Sequence, residues 1–279
     1  MKPTEELHIA KVKYNDAFKA ACDQFQNLEL AKARATHARW KSIENLDSYL
    51  IEFEANFIKR GGKVIWAQDS LEAIDAIVEI CNKYSTQTIV KSKSSTSHEI
   101  LLNERIGIEG YNAIETDTGD YIADSLSDHS GHMILPAIHK SVEEINAHFG
   151  FDHLSPEQIV GVIRDRLRSL FLSADIGITG CNFLIADPGA IVITENEGNA
   201  QLCASLPKRH IVLTGIDKML PSLNYLDLFL PLLSTYGTGQ KLTAYNSIIT
   251  GPKHAEDLDG PEDRKSTRLN SSHTVISYA

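Results

Sequence analysis

"IGITGCNFLIADPGAIVITENEGN", residues 176–199, is the stretch on which the fold class turns. Two apolar runs, 176–186 and 190–194, flank Asp187-Pro188-Gly189. Proline followed by glycine favours a tight turn, so the runs are predicted to pair as an antiparallel hairpin. The second run stops at Thr194 and gives way to Glu195, Asn196, Glu197, Gly198 and Asn199. A turn needs only one or two such groups. This strand end is therefore either a generous turn or part of a site, and the rest of the chain must decide between them.

Working outward, "KVIWA" (63–67), "TIVK" (88–91), "YNAIET" (111–116), "HMILPA" (132–137) and "HIVLTG" (210–215) read as further short strands. Helix starts lie between them. Asp69 and Glu72 form a capping box, as do Thr96 and Glu99, which open a helix to about Arg105. Asp117 caps the next helix. Ser155, Pro156 and Gln158 start one over 156–172. Residues 1–60 read as helical. Ile43, Leu46, Leu50, Phe53 and Phe57 recur at three- and four-residue steps, and Gly61 and Gly62 end the run. Strand–helix alternation predicts an α/β fold, a mixed, largely parallel sheet with flanking helices, to which the hairpin adds an antiparallel portion. The expected organisation is a helical extension over 1–60, an α/β domain over 61–263 and a tail over 264–279.

The bulk properties exclude several classes. At 279 residues the chain suits one large domain with an appendage. A net charge of −10 argues against nucleic-acid partners, whose phosphates need clustered Lys and Arg. "MKPTEELHIAKVKYND" is charged throughout and shows no secretory signal, so a cytoplasmic location is expected. The most apolar window, "MLPSLNYLDLFLPLL" (219–233), is broken by Pro221, Asp227 and Pro231, so no membrane span is expected. Cys22, Cys81, Cys181 and Cys203 lack metal-ligand spacing and read as reduced thiols. His129, His132 and His139 lie close in sequence, but His132 and His139 bracket a predicted strand and fall at its opposite ends. No metal site is expected from either set. The chain has no G-x-G-x-x-G, Walker or G-x-S-x-G motif.

In open α/β sheets ligands bind beyond the carboxyl ends of strands. Three such ends carry candidate residues. The first holds Lys91, Lys93, Ser94, Ser95 and Thr96, where ammonium groups and helix-start amides suit an anion. The second holds Glu115 and Thr116. Capping explains Asp117 but not Glu115, which still lies within an apolar run. The third holds Glu195, Asn196 and Asn199. Each alone is explained by an ordinary loop or cap; their common place at strand ends favours a site. Lys91, Lys93, Ser94, Glu115, Glu195 and Asn196 are expected to line one concave surface.

Several stretches in order resemble the LUD domain, in its LutB-type lactate-utilisation subgroup. They are "KSKSSTSHEILLNERIGIEGYNAIETDTGDYI" (91–122), "GHMILPAIHK" (131–140), "GITGCNFLIADPG" (177–189), "TENEGNAQLCASLPKRHIVLTGIDKMLP" (194–221) and "TGQKLTAYNSIITGPKHAEDLDGPED" (238–263). "NLDSYLIEFEANFIKRGGKVIWAQD" (45–69) resembles the same subgroup. The resemblance implies a fold of the NagB/RpiA/CoA-transferase kind. It also implies a part in a cytoplasmic system that oxidises L-lactate to pyruvate, with LutA-like and LutC-like subunits as partners and a small organic acid as ligand. The subgroup's member is the electron-transferring iron–sulfur subunit. By resemblance its 4Fe-4S clusters follow the LUD domain, so no cofactor is expected in this chain, which alone would not be catalytic. "TENEGN" also resembles the segment in which CoA-transferases carry a nucleophilic glutamate. That implies, as an alternative, an enzyme using Glu195 as nucleophile or base on an acyl-CoA or a hydroxy acid; Glu115, anomalous within its apolar run, is a second catalytic candidate. The tail "RKSTRLNSSHTVISYA" (264–279) departs from the family, resembles translated adapter sequence, and is expected to be disordered and dispensable.

Overall fold

The computed structural model describes residues 3–126, 140–252 and 273–278. Three helices come first: α1 (Pro3–Cys22), α2 (Leu28–Glu44) and α3 (Leu46–Lys59). Then follow β1 (Lys63–Ala67), α4 (Ser70–Lys83), β2 (Ile89–Lys91), α5 (Ser95–Glu99), α6 (Leu102–Ile108), β3 (Ala113–Glu115), α7 (Thr118–Ser125), α8 (Val142–Phe149) and α9 (Pro156–Ser173). The remainder comprises β4 (Ile176–Thr179), β5 (Phe183–Asp187), β6 (Ala190–Glu195), α10 (Asn199–Ser205), β7 (Arg209–Gly215), β8 (Met219–Ser222), α11 (Leu226–Thr238), β9 (Tyr245–Ile249) and β10 (His273–Tyr278).

The strands form two sheets. One is six-stranded and parallel throughout, in the order β1-β10-β7-β4-β2-β3. The other is four-stranded, β8-β5-β6-β9, and contains the hairpin. The expected α/β class with parallel strands and flanking helices is present, but the antiparallel portion is a sheet of its own. The reason lies within 176–186. The chain leaves the parallel sheet at Thr179, turns through Gly180, Cys181 and Asn182, and enters the second sheet at Phe183. Asn182 N–H bonds the Val192 carbonyl and Asn182 Oδ1 accepts the Thr194 amide, so the break is tied to the hairpin partner. One predicted strand is two strands in two sheets.

Alternation along the parallel strands feeds two cores. Ile211, Leu213 and Ile276 face α4 and α6, together with Ile74, Ile77 and Ile106. Val212, from the opposite parity, joins Phe53 and Phe57 of α3 and Leu184, Ile191 and Ile193 of the second sheet. The N-terminal helices are thus packed onto the domain: α3 fills the space between sheets, and α2 meets the far face of the second sheet through Ala38. A third core joins Val90 to α7, α8 and α9.

Local signals explain most boundaries. Asp69 accepts the Leu71 and Glu72 amides, and Ser155 and Gln158 form the predicted capping box. The expected helix from Thr96 to Arg105 is instead two helices. Ser94, not Thr96, is the N-cap of α5, and the chain breaks at Leu101, which adopts a left-handed conformation with φ 54°. The predicted strand 132–137 and the three clustered histidines lie outside the described residues. The tail expectation is corrected over His273–Tyr278. This segment is a strand between β1 and β7, and Ile276 is fully buried. Thr274, Val275 and Ile276 form a β-branched run, which suits a strand flanked on both sides. Residues 264–272 lie outside the described residues.

Candidate functional site

The carboxyl ends of β2, β4 and β6 open onto one cleft of about 420 Å³. Its walls come from three loops. Lys93, Ser94, Ser95 and Thr96 follow β2; Gly180, Cys181 and Asn182 follow β4; Glu195, Asn196, Glu197 and Asn199 follow β6. Asp117 and Thr238 complete it. β2 and β4 are parallel neighbours and so share a carboxyl edge, while β6, in the second sheet, reaches the same cleft through the β4–β5 crossover that carries its hairpin partner.

Gly180 permits the closest approach. A Cβ there would stand 2.6 Å from Ser94 Oγ, so only glycine lets the β2 loop lie against the end of β4. Ser94 in turn caps α5 by accepting the Ser97 amide. Below the loop, Lys91 and Glu115 form a buried ion pair, and Lys91 Nζ lies 3.3 Å from Ser97 Oγ. Thr116 donates to the Lys91 carbonyl at 2.9 Å and accepts from Asn199 Nδ2 at 3.3 Å. Lys91, Glu115 and Thr116 therefore lie beneath the cleft. The expected concave surface holds Lys93, Ser94, Glu195 and Asn196, but Lys91 and Glu115 form the support under it. Ser95, Thr96 and Asn199 also line the surface.

Glu195 ends β6 and faces the start of α10. Its Oε2 accepts the Ala200 amide at 2.8 Å and its Oε1 the Gln201 amide at 2.7 Å. Both oxygens are occupied as a cap for α10, across Gly198 at φ +81°. The two backbone amides take one lone pair on each oxygen, which fixes the carboxylate against α10 and draws off part of its charge, leaving the second lone pair of each oxygen open. Asn196 is likewise engaged: Nδ2 donates to Gln240 Oε1 at 2.9 Å and Oδ1 accepts the Ala244 amide at 3.0 Å.

The charges in the cleft are uneven. Lys93 is the one cation among the described lining residues, against Asp117, Glu195 and Glu197. Lys93 also pairs with Asp120 at 3.2 Å. Burial holds the Glu195 carboxyl above its usual range, against the pull of its backbone amides. Desolvation and the Asp117 charge do the same for Glu197. Burial raises Glu115 despite Lys91 beside it. The cleft is thus rich in hydroxyl, amide and carboxyl groups, with a single ammonium available to a carboxylate ligand.

Sequence reasoning did not single out Gly180, Cys181, Asn182 or Thr238. The first three follow a strand and were accessible to the same strand-end argument, had the run 176–186 been divided. Thr238 ends α11, which runs on through Pro231, a residue that in sequence reads as a helix breaker.

Three of the four cysteines lie apart in the fold. Cys81 and Cys203 belong to separate cores, and Cys181 packs against a third. Burial pushes the Cys81 thiol up to about 11 and those of Cys181 and Cys203 up to about 12. Cluster ligation needs converging thiolates. Among the described residues no group of three or more His, Cys, Asp or Glu could hold a metal ion. No described helix is long and apolar enough to cross a membrane.

Comparison with known proteins gives a consistent family. The profile described as the LUD domain matches residues 50–265. Lactate utilization protein B of Geobacillus sp. (strain WCH70) is 38% identical over 266 residues, covering 93% of this chain and 54% of that protein. The protein of the same name from Bacillus subtilis (strain 168) is 40% identical, over 87% of this chain and 52% of its own length. That from Lysinibacillus sphaericus (strain C3-41) is 39% identical, over 93% and 58%. The chain spans about half the length of these curated relatives. A solved DUF162-family protein from Deinococcus radiodurans is 12% identical with a TM-score of 0.43, covering 84% of this chain and 98% of its own; that likeness adds nothing to the assignment.

Proposed function

The chain belongs to the LUD-domain family, and from that premise we propose that it serves lactate utilisation, as the LUD portion of an iron–sulfur subunit in a cytoplasmic system oxidising L-lactate to pyruvate. One observation carries this reading: 37–41% identity to proteins named lactate utilization protein B along most of the chain. In this proposal the two electrons of lactate oxidation would pass one at a time through 4Fe-4S clusters to a further electron acceptor and the two protons to solvent, with LutA-like and LutC-like subunits as partners. The present chain supplies a scaffold and a cleft for a small organic acid. Lys93 would meet the carboxylate, and the hydroxyls of Ser94, Ser95 and Thr96 the ligand's own hydroxyl. The alternative in which Glu195 attacks an acyl-CoA is less favoured, because the two backbone amides it accepts hold it as a cap of α10 and lower its nucleophilicity.

The reading is tested by replacing the LUD portion of the Bacillus subtilis lactate utilization protein B with this chain. Growth of the recipient on L-lactate as sole carbon source is expected. Failure to grow, with the chimera folded and expressed, would overturn it. The cleft is tested separately by calorimetric titration of L-lactate and pyruvate into wild type and Lys93→Ala. Loss of a charge-assisted bond should weaken binding about tenfold or more. Equal binding in both proteins, or none in either, would remove the cleft from the proposal.

A further inference from the structure

At the opposite edge of the parallel sheet from the cleft, a smaller pocket of about 130 Å³ lies between the sheet and the last turns of α4. Lys63 opens β1, Arg209 opens β7, and Lys83 ends α4; all three line it. Glu79 is the one acidic residue among its described lining, which leaves three cations against one anion. That balance is unusual in a chain of net charge −10. None of the three cations is within 4.0 Å of a described carboxylate, so no ion pair among the described residues neutralises the charge.

Arg209 shows how the pocket is arranged. Its guanidinium carbon lies 3.6 Å from the centre of the Tyr84 ring, a stacked contact that fixes its plane. Its Nε is buried and has no hydrogen-bond partner among the described residues. A buried, charged donor left without an acceptor is costly, and a guanidinium edge fits the paired oxygens of a phosphate or carboxylate. Lys83 reaches the same ring from 5.6 Å. The volume equals that of about four waters in the liquid, enough for one small oxyanion and too little for a nucleotide.

We propose that this pocket is a binding site for a small oxyanion, a free phosphate or a compact carboxylate, held by the Arg209 guanidinium with Lys63 and Lys83 as flanking charges. It is separate from the cleft and does not depend on the lactate reading. The test is calorimetric titration of inorganic phosphate at constant ionic strength into wild type, Arg209→Gln, Arg209→Lys and Lys93→Ala, with far-UV circular dichroism as the folding check. Wild type and Lys93→Ala should bind phosphate saturably and alike. Arg209→Gln should weaken binding about tenfold or more, and Arg209→Lys, which keeps the charge and loses the fork, should fall between. Should Arg209→Gln not fold, Lys83→Gln, at an exposed position, replaces it and is expected to weaken binding in the same direction. Acetate added as competitor separates the two sources: displacement assigns a carboxylate, persistence a phosphate, and both support an oxyanion site. No saturable phosphate binding to wild type would overturn the proposal. So would binding unchanged in the folded Arg209→Gln or Lys83→Gln protein, or binding lost in Lys93→Ala.

Discussion

Both carboxylate oxygens of Glu195 are taken by amides of the helix that follows, so its first task is to cap α10. Glutamine can accept with only one oxygen and would set its amide group against the other N–H. Glu195→Gln is therefore expected to cost about 1 kcal/mol or more at neutral pH. The pH dependence has a definite sign. Burial raises the carboxyl above the ordinary 4.5, so the folded state takes up its proton more readily than the unfolded chain. That contribution is complete below 4.5 and is lost as pH rises through the raised value. The variant does not titrate at this position, so the wild-type advantage in thermal midpoint should be wider near pH 5 than near pH 7.5. A gap that narrows on acidification would show that the amides outweigh burial. Beneath the cleft, Glu115→Gln should cost about 3 kcal/mol, because Lys91 is then buried without its counter-charge. Lys91→Met with Glu115→Leu should recover most of the loss in urea melts; no recovery would mean that Lys91 acts through Ser97 more than through Glu115. The sequence marks Glu115 as anomalous, a carboxylate inside an apolar run. It does not reveal Lys91 as the partner, because that depends on the β2–β3 register, which is fixed by pairing across the chain.

Elements with strong local chemistry were legible in advance: the Asp69, Asp117 and Ser155 caps, the hairpin at Pro188-Gly189 and the strands at 63–67 and 210–215. The ones that were missed have their cause elsewhere. β4 and β5 read as one apolar run because both are buried; only tertiary placement divides them at Gly180. The window 219–233, read only as too interrupted to span a membrane, becomes β8 and most of α11, with Pro231 accommodated inside the helix. The break between α5 and α6 has a local cost that the sequence hides, since leucine is a poor choice for a left-handed residue. Leu101 is 48% exposed at φ 54°, and its backbone bonds to His98 and Arg105 do not need its side chain. Leu101→Gly should relieve about 1–2 kcal/mol of strain and lose about 0.5–1 kcal/mol to the freer unfolded chain. The net gain should raise the thermal midpoint by roughly 2 °C. A lower midpoint would show that the Leu101 side chain holds α5 to α6.

The most consequential element for the whole molecule is the last one. β1 has a single neighbour in the parallel sheet, β10, and β10 joins it to β7. Lys63 to Ala67 register with Thr274 to Tyr278, so the strand bridges segments more than 140 residues apart in sequence. No local pattern announces such a role: three β-branched residues in a Ser- and Thr-rich tail look like unstructured chain until both ladders are supplied by the sheet. Without β10, β1 and the helices tied to it would meet β7 through side chains alone, across the width of a missing strand. The expectation that 264–279 is dispensable is therefore replaced by its opposite. Ile276 is fully buried among Ala67, Ile211 and Leu213. Ile276→Asp places an unpaired carboxylate there and should cost about 3 kcal/mol or more, whereas Ile276→Val should cost about 1 kcal/mol. Removing 264–279 should do more than either, lowering the urea midpoint and broadening the transition as β1 loses its ladder. The graded series separates the causes. A large loss with aspartate and a small one with valine identifies burial of this side chain, and a further loss on truncation identifies the ladder. If the aspartate variant and the truncated chain both unfold with the wild-type midpoint, β10 does not hold the sheet together, and β1 is an edge strand held by α3 and α4.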